Sequence, residues 1–379
     1  MSRLFPIVRD MNFCSFWRRF APLTLGLVTM ALGACAPQLS TNPPPPVLTL
    51  APVAFADLPG WSTDRTADVL PALLRSCTRW SSWSADHELG LGVTVADWRP
   101  ICTAAATIPA GDDLAAQRLF KSWFRPYRAG NHGDPSGLFT GYYEPELRAS
   151  RRRHGPYQVP LYTRPPDAIA LPSRAEIVAG ALADRVPVLA WVDDPVDAFF
   201  LQIQGSGRLG LDDGTVMRVG FAGQNGYPYV AIGRELVERG ALTREEATMP
   251  GIRGWLTAHP DQIRAILDSN PSYVFFKEVK GDGPTGAQGV VLTPGRSLAV
   301  DHNFMPYGLP VWLDAEDPLE PTVRLQRVLM TQDTGGAIRG PVRGDVFWGY
   351  GVDAVARAGV MRSAGGYFVL IPRTVTPAP

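Results

Sequence analysis

The spacing of apolar positions divides the chain into a helical stretch, a mixed middle and a strand-rich end. Between residues 64 and 125, Val69, Leu70, Leu73, Leu74 and Cys77 recur at helical intervals. Asp97 is placed to cap a second helix carrying Trp98, Ile101, Cys102 and Ala105. Asp112 and Asp113 open a third, with Leu119, Phe120, Trp123 and Phe124 on its apolar face and Pro126 as its stop. These aromatics read as core. At residues 137–147 the pattern changes to a strand interrupted by Gly141, and 150–222 predicts short strands and turns, with good strands at 188–192 and 198–204. A helix over 227–239 ends at Gly240 in the C′ position. A capping box, Thr243 to Glu246, opens another, and Ile263, Ile266 and Leu267 mark one more, stopped by Asn270 and Pro271. Residues 272–276 read as a strand returning to the core. Short strands follow at 289–292, 297–300, 310–313, 325–332, 345–348 and 367–370, with one helix near 352–357 stopping at Gly359. Glycine or proline turns separate most of them, which predicts a small closed barrel.

The N-terminus is patterned for export rather than folding. Arg18 and Arg19 precede an apolar run from Leu23 to Leu32, which is too short to span a bilayer and reads as a secretory signal over 1–34. Leu32-Gly-Ala-Cys35 resembles a bacterial lipobox, which implies cleavage before Cys35 and lipid on its thiol. An ordinary signal with an incidental cysteine is the alternative. Ala36, rather than aspartate, follows the cysteine and favours the outer membrane, facing the periplasm of a Gram-negative cell. Residues 35–50 read as a spacer, extended by the four prolines at 43–46.

Composition narrows the class. Hydrophobic residues make up 45%, enough for a sizeable core, and 38 glycines with 36 prolines argue for many turns. Lys and Arg total 36 and so do Asp and Glu, so no strong field points to nucleic acid. Of four cysteines, Cys14 leaves with the signal and Cys35 is the anchor; Cys77 and Cys102 either pair in the exported compartment or stay as buried thiols. The five histidines lack metal-ligand spacing, so no metal and no cofactor are expected.

The candidate chemistry lies in residues 332–349, which hold Asp333, Asp345 and five glycines between two apolar runs. Carboxylates at strand ends beside bare backbone suggest a site; taken alone, the stretch favours a glycine-rich turn with two solvated, turn-capping aspartates. Tyr142 and Tyr143 beside Gly141 suit a sugar-stacking surface or an ordinary half-buried strand. Gly205 to Gly210 matches G-x-G-x-x-G, but a turn follows where a dinucleotide site needs a helix. Ser206 lacks nucleophile-elbow flanks and a histidine base.

Six motifs in order carry a resemblance: 139–143 (FTGYY), 204–207 (QGSG), 221–227 (FAGQNGY), 270–276 (NPSYVFF), 332–338 (QDTGGAI) and Gly344-Asp345. With the lipobox, they make residues 60–372 resemble the lytic murein transglycosylases of the MltA family. The resemblance implies a mainly β fold with accessory helices. It comprises a double-psi β-barrel from 51–145 and 272–379, the latter with the 3D domain, a smaller inserted β domain at 146–271, and a substrate groove between them. It implies cleavage of the β-1,4 bond between N-acetylmuramic acid and N-acetylglucosamine, leaving 1,6-anhydromuramyl ends. Asp345 matches the family's acid/base and Asp333 a supporting aspartate; Thr140, Tyr142, Tyr143, Gln204, Ser206, Gln224 and Asn225 are the expected glycan contacts. Partners would be peptidoglycan strands, the membrane through the lipid, and cell-wall synthesis proteins as candidates. Gln202 departs from members that carry aspartate there, which removes a third carboxylate from the insert. A single-carboxylate mechanism needs Asp345 held protonated, by burial near Phe347 and Trp348 or by repulsion from Asp333. The competing readings are a non-catalytic peptidoglycan-binding lipoprotein and a water-using muramidase.

Overall fold

The computed structural model describes residues 44–166, 170–281 and 283–377. The expected signal peptide, Cys14 and Cys35 lie outside them. The chain begins with β1 (Leu48–Pro52), α1 (Leu70–Trp80), β2 (Glu88–Gly90), β3 (Val93–Thr94), α2 (Val95–Ala106), α3 (Asp113–Trp123), β4 (Phe124–Asn131) and β5 (Gly137–Tyr142). The middle holds β6 (Glu146–Ser150), β7 (Val159–Tyr162), α4 (Arg174–Val178), β8 (Val188–Val192), α5 (Pro195–Gln204), β9 (Ser206–Leu211), β10 (Val216–Gln224), α6 (Ile232–Glu238), α7 (Met249–Ala258), α8 (Ile263–Asp268) and β11 (Val274–Glu278). The end holds β12 (Ser297–Val300), β13 (Pro310–Glu316), β14 (Arg324–Asp333), β15 (Arg343–Phe347), α9 (Val352–Val360) and β16 (Arg362–Pro372).

Two sheets dominate. In the first, β5, β16, β13, β14, β12 and β15 pair in a closed ring, with β4 and β1 added outside through β16. Closure depends on β16: its first residues pair with β5 and its later ones with β4, so one long strand serves two edges. The early strand β5 thus completes the barrel formed by the C-terminal run. Trp312, Leu313, Val328, Leu329 and Val369 are fully buried in its core, which continues into Trp98 and Phe120 of the N-terminal helices. A disulfide joins Cys77 of α1 to Cys102 of α2, Cα–Cα 5.7 Å.

The second sheet runs β11-β10-β9-β6-β8-β7. Leu147, Ala190, Leu209, Val219 and Phe276 from its strands pack with Ala198 and Leu201 of α5. The two sheets meet at an ion pair between Glu144, buried just after β5, and Arg218 of β10, with Nη2–Oε2 2.7 Å. Arg218 also donates through Nη1 to the carbonyl of Gly281, at 3.1 Å, where the chain returns from the second sheet.

Several elements differ from expectation. Residues 198–204 are helix, not strand. Asp194 caps α5 by accepting from Val196 N at 2.7 Å, Pro195 fills the first turn, and Gly205 ends it at φ 78°. This helix is covered by the second sheet on one side and by α6, α7 and α8 on the other, so its sequence lacks a helical period. Residues 272–276 do not return to the barrel: β11 pairs with β10 and extends the second sheet to residue 278. The spacer is shorter than 35–50, because Leu48 already pairs with Asn131. Residues 289–292 form only an isolated bridge, Thr285 to Val291, since the segment folds back as a loop. Thr94 rather than Asp97 opens α2; Asp97 reaches back to the Thr94 N–H at 2.9 Å. Phe124 and Pro126 belong to β4. The capping box at Thr243 forms (Thr243 N to Glu246 Oε2, 2.9 Å) but closes only a turn; α7 starts at Met249 under Thr248. α6 starts only at Ile232, after Ala231 in an extended conformation.

Candidate active site

Asp333 ends β14 and Asp345 sits in β15, and pairing brings them to one level. Ala299 of β12 pairs with Asp333 on one side and Asp345 on the other. Asp345 in turn lies opposite Thr140 of β5. Four adjacent strands therefore present Asp333, Ala299, Asp345 and Thr140 in a row.

The two carboxyls have different surroundings. Asp333 accepts the Tyr142 hydroxyl on Oδ2 at 2.8 Å, and the backbone N–H groups of Ala287 and Thr334 on Oδ1, each at 2.9 Å. Burial raises its pKa, and those three donors pull against the rise. Among the described residues Asp345 accepts only the Thr140 hydroxyl, on Oδ1 at 2.7 Å. Burial pushes its pKa up to about 6, against the Thr140 hydrogen bond and the Arg343 charge, with Asp333 adding to the rise. Each carboxyl keeps a partly open edge, yet protein closes around the rest, and that surrounding shell sets the pKa. Oδ2 of Asp345 takes no hydrogen bond from any described residue.

Local sequence explains the placement. The loop that delivers Ala287 N needs Gly286, where a Cβ would stand 2.5 Å from the Gln332 carbonyl. Gly141 lets β5 approach α9: a Cβ there would meet Trp348 Nε1 at 2.7 Å and Ala358 Cα at 2.9 Å. Tyr142 packs against Phe347 at 5.2 Å between ring centres, which directs its hydroxyl to Asp333. Behind the row, Gln332 accepts from Ser297 Oγ and donates to Ser76 Oγ and the Ala72 carbonyl, tying the strand to α1.

A cavity of about 790 Å³ lies elsewhere, among Asp64, Arg65, Leu74, Pro294, Arg296 and Arg327. Arg296 and Asp64 pair within it at 2.9 Å, and it reaches neither aspartate. The two half-buried carboxyls in one row across the sheet mark the candidate site better than volume does.

Residues 138–277 match the model of the MltA specific insert domain and residues 296–371 that of the 3D domain. The membrane-bound lytic murein transglycosylase A of Escherichia coli (strain K12) is 37% identical over 270 residues, 69% of this chain and 72% of the relative. The chain belongs to the membrane-bound lytic murein transglycosylase A family. The crystal structure of the Agrobacterium tumefaciens membrane-bound lytic murein transglycosylase is 32% identical, covers 86% of this chain and 98% of its own, and has a TM-score of 0.78. That of Escherichia coli MltA with bound chitohexaose is 29% identical, covers 87% and 92%, and has a TM-score of 0.66.

Within this MltA fold the expected site residues separate into three groups. Asp333, Asp345, Thr140 and Tyr142 are brought together as described. Ser206 is half-buried and Gln224 exposed, both free for a ligand to reach. Tyr143, Gln204 and Asn225 are engaged internally. Tyr143 is buried among Ala354, Ala358 and Met249, and Gln204 Oε1 accepts from its backbone N–H at 3.0 Å. Asn225 donates to the carbonyls of Pro172 and Pro271, each at 2.9 Å, and accepts from Tyr273 N at 2.8 Å. Gln202 is likewise internal, accepting from buried Arg174 at 2.7 Å. The motifs around 225 and 270 thus build a buried polar knot, and the Gln204 and Asn225 amides are spent on backbone. The sequence reading missed Arg343, whose Nη2 donates to Thr140 Oγ1 at 2.9 Å, and the Ala287 amide; two glycines, Gly286 and Gly289, were the only signal for the latter. Among the described residues no cluster of three His, Cys, Asp or Glu side chains could hold a metal.

Proposed function

We propose that this chain is a lytic transglycosylase of peptidoglycan. It cleaves the β-1,4 bond between N-acetylmuramic acid and N-acetylglucosamine with Asp345 as the single acid and base. The observation that supports this best is the unequal state of the two aspartates: Asp333 has both oxygens engaged, whereas Asp345 has a raised pKa and one oxygen unclaimed. Ordinary glycosidases need two working carboxylates across the bond; here one is committed to holding Tyr142 and two backbone amides.

In the first step the protonated Asp345 gives its proton to the glycosidic oxygen as the bond to muramic C1 breaks. The oxocarbenium-like charge develops beside two carboxyl groups and backbone dipoles. In the second, the Asp345 carboxylate takes the proton of the muramic C6 hydroxyl while that oxygen bonds to C1. The 1,6-anhydro end forms without water and the acid is restored. Asp333 keeps Tyr142 and the 287 loop in place.

The closed six-strand ring is read as a double-psi barrel, and residues 146–278 as the insert. The glycan would lie in a groove between them, with Ser206 and Gln224 as contacts on the insert side. The chitohexaose-bound relative supports a neutral β-1,4-linked sugar chain as ligand. The relatives' membrane-bound designation and the Cys35 lipobox support a lipoprotein of the outer membrane. The test is mass spectrometry of products released from purified sacculi. Anhydromuramyl ends are expected; reducing muramic ends would replace this reading with hydrolysis, and no products at all with binding.

A further inference from the structure

The scheme above leaves Arg343 without a task. It lies two residues before Asp345 on β15 and shares its face; the parallel pairing with β5 sets Leu138 opposite Arg343 and Thr140 opposite Asp345. Its guanidinium donates through Nη1 to the carbonyls of Leu138, at 3.2 Å, and Gly344. Through Nη2 it reaches diagonally to Thr140 Oγ1 at 2.9 Å, and Thr140 donates onward to Oδ1 of Asp345 at 2.7 Å.

The direction of this relay follows from the groups. A guanidinium has five N–H donors and no acceptor, so the threonine oxygen accepts from it. The single hydroxyl hydrogen then turns to the other side, where Oδ1 lies. A proton on Oδ1 would meet that hydrogen head-on. On Oδ2 it meets no described donor. The other titratable groups facing Asp345 are Asp333 from β14 and Tyr142 from β5, and neither hydrogen-bonds it.

We propose that Arg343 is a positioning residue for the acid: by holding the Thr140 hydroxyl as a donor to Oδ1, it confines the transferable proton of Asp345 to Oδ2. This rests on the reading of Asp345 as the acid and base. The proton leaves Oδ2 for the glycosidic oxygen and the same oxygen recovers one from the C6 hydroxyl. Thr140 and Arg343 exchange no proton. Without Arg343 the hydroxyl can rotate and accept the acid's proton, holding it away from the substrate.

The test uses the folded protein and soluble glycan strands freed from sacculi by an amidase, with kcat and KM measured across pH. Arg343→Gln is expected to lower kcat about tenfold or more and to leave KM within about twofold. It should also move the alkaline limb to higher pH, because a charge and a fixed donor that favour the carboxylate are gone. Arg343→Lys should restore part of both effects, and Arg343→Gln should lower kcat no further in a Thr140→Val background, although loss of its charge still raises the limb there. An unmoved limb, or kcat effects that add in full, overturns the proposal. If Arg343→Gln does not fold, Thr140→Val must move the limb upward and Thr140→Ser must not; the opposite result overturns it. Turnover surviving in Asp345→Asn would sink the acid reading itself. A dead Asp345→Asn with an unmoved limb in Arg343→Gln sinks only the role of Arg343.

Discussion

Asp333 and Asp345 stand on either side of one alanine, Ala299, each paired with it across β12. Two strand spacings separate their backbones, about 10 Å. Among the described residues neither carboxyl hydrogen-bonds the other, unlike a close carboxyl dyad sharing one proton. The rise at Asp345 comes first from burial, and Asp333 is the smallest of its named causes.

The first prediction concerns pH. In the proposed mechanism the first chemical step needs Asp345 protonated, and burial pushes its pKa up to about 6. Turnover should therefore fall by about tenfold per pH unit well above that value. Stability carries the same signature. A carboxyl whose folded pKa is raised binds its proton more tightly folded than unfolded, so stability is fully present below about pH 4 and drops as pH rises through about 6. Asp345→Asn should remove that loss and raise stability at pH 7 by about 2–3 kcal/mol while abolishing turnover. Melting curves at pH 4 and 7 check this; equal melting of the two proteins at pH 7 would contradict the burial argument.

Tyr142→Phe removes one donor from Asp333 and leaves Oδ2 buried without a partner. The expected cost is about 1–3 kcal/mol of stability. The pKa of Asp333 should rise further, since the hydroxyl holds it down. Chemical denaturation and carboxyl titration by NMR would read both; an unchanged Asp333 titration rules out the hydroxyl's part.

The strand-rich barrel and the aspartates were legible because β12 to β16 are short apolar runs, most of them bounded by glycine or proline, and because Asp333 and Asp345 stand near glycines next to such runs. The roles of Tyr143, Gln204 and Asn225 were not. A motif string does not say whether an amide faces a ligand or a carbonyl 46 residues away, as Asn225 faces Pro271. Residues 198–204 were misread because a helix buried on two faces shows no period, and Arg343 was missed because its partner Thr140 lies 203 residues away, on a neighbouring strand.

Asn225→Ala should therefore act on folding rather than on the glycan. It leaves the Pro172 carbonyl and the Tyr273 amide without the Asn225 partner, while the Pro271 carbonyl keeps the Arg174 N–H. A loss of about 2–4 kcal/mol is expected, with KM of the folded fraction within about twofold. A rise in KM at unchanged stability would return Asn225 to the substrate surface.

Reduction of the Cys77–Cys102 bridge, or its replacement by two serines, should lower stability by about 3 kcal/mol for a separation of 25 residues. Ser76 next to it binds Gln288 and Gln332, the neighbours of Ala287 and Asp333. Turnover of the reduced protein should accordingly fall at temperatures where the fold still melts cooperatively. Identical rates before and after reduction would show that α1 does not reach the site.

Arg218 holds Glu144 on the segment leaving the barrel and the Gly281 carbonyl on the segment coming back. Both threads of the second sheet thus pass through a neck that one arginine can span. Away from the neck, Met249 of α7 packs with Tyr143 against Ala354 and Ala358 of α9, a second point of contact between the two bodies. The same neck makes the second sheet a detachable cassette: a short linker across residues 144 and 281 should close the barrel chain without disturbing its strand order.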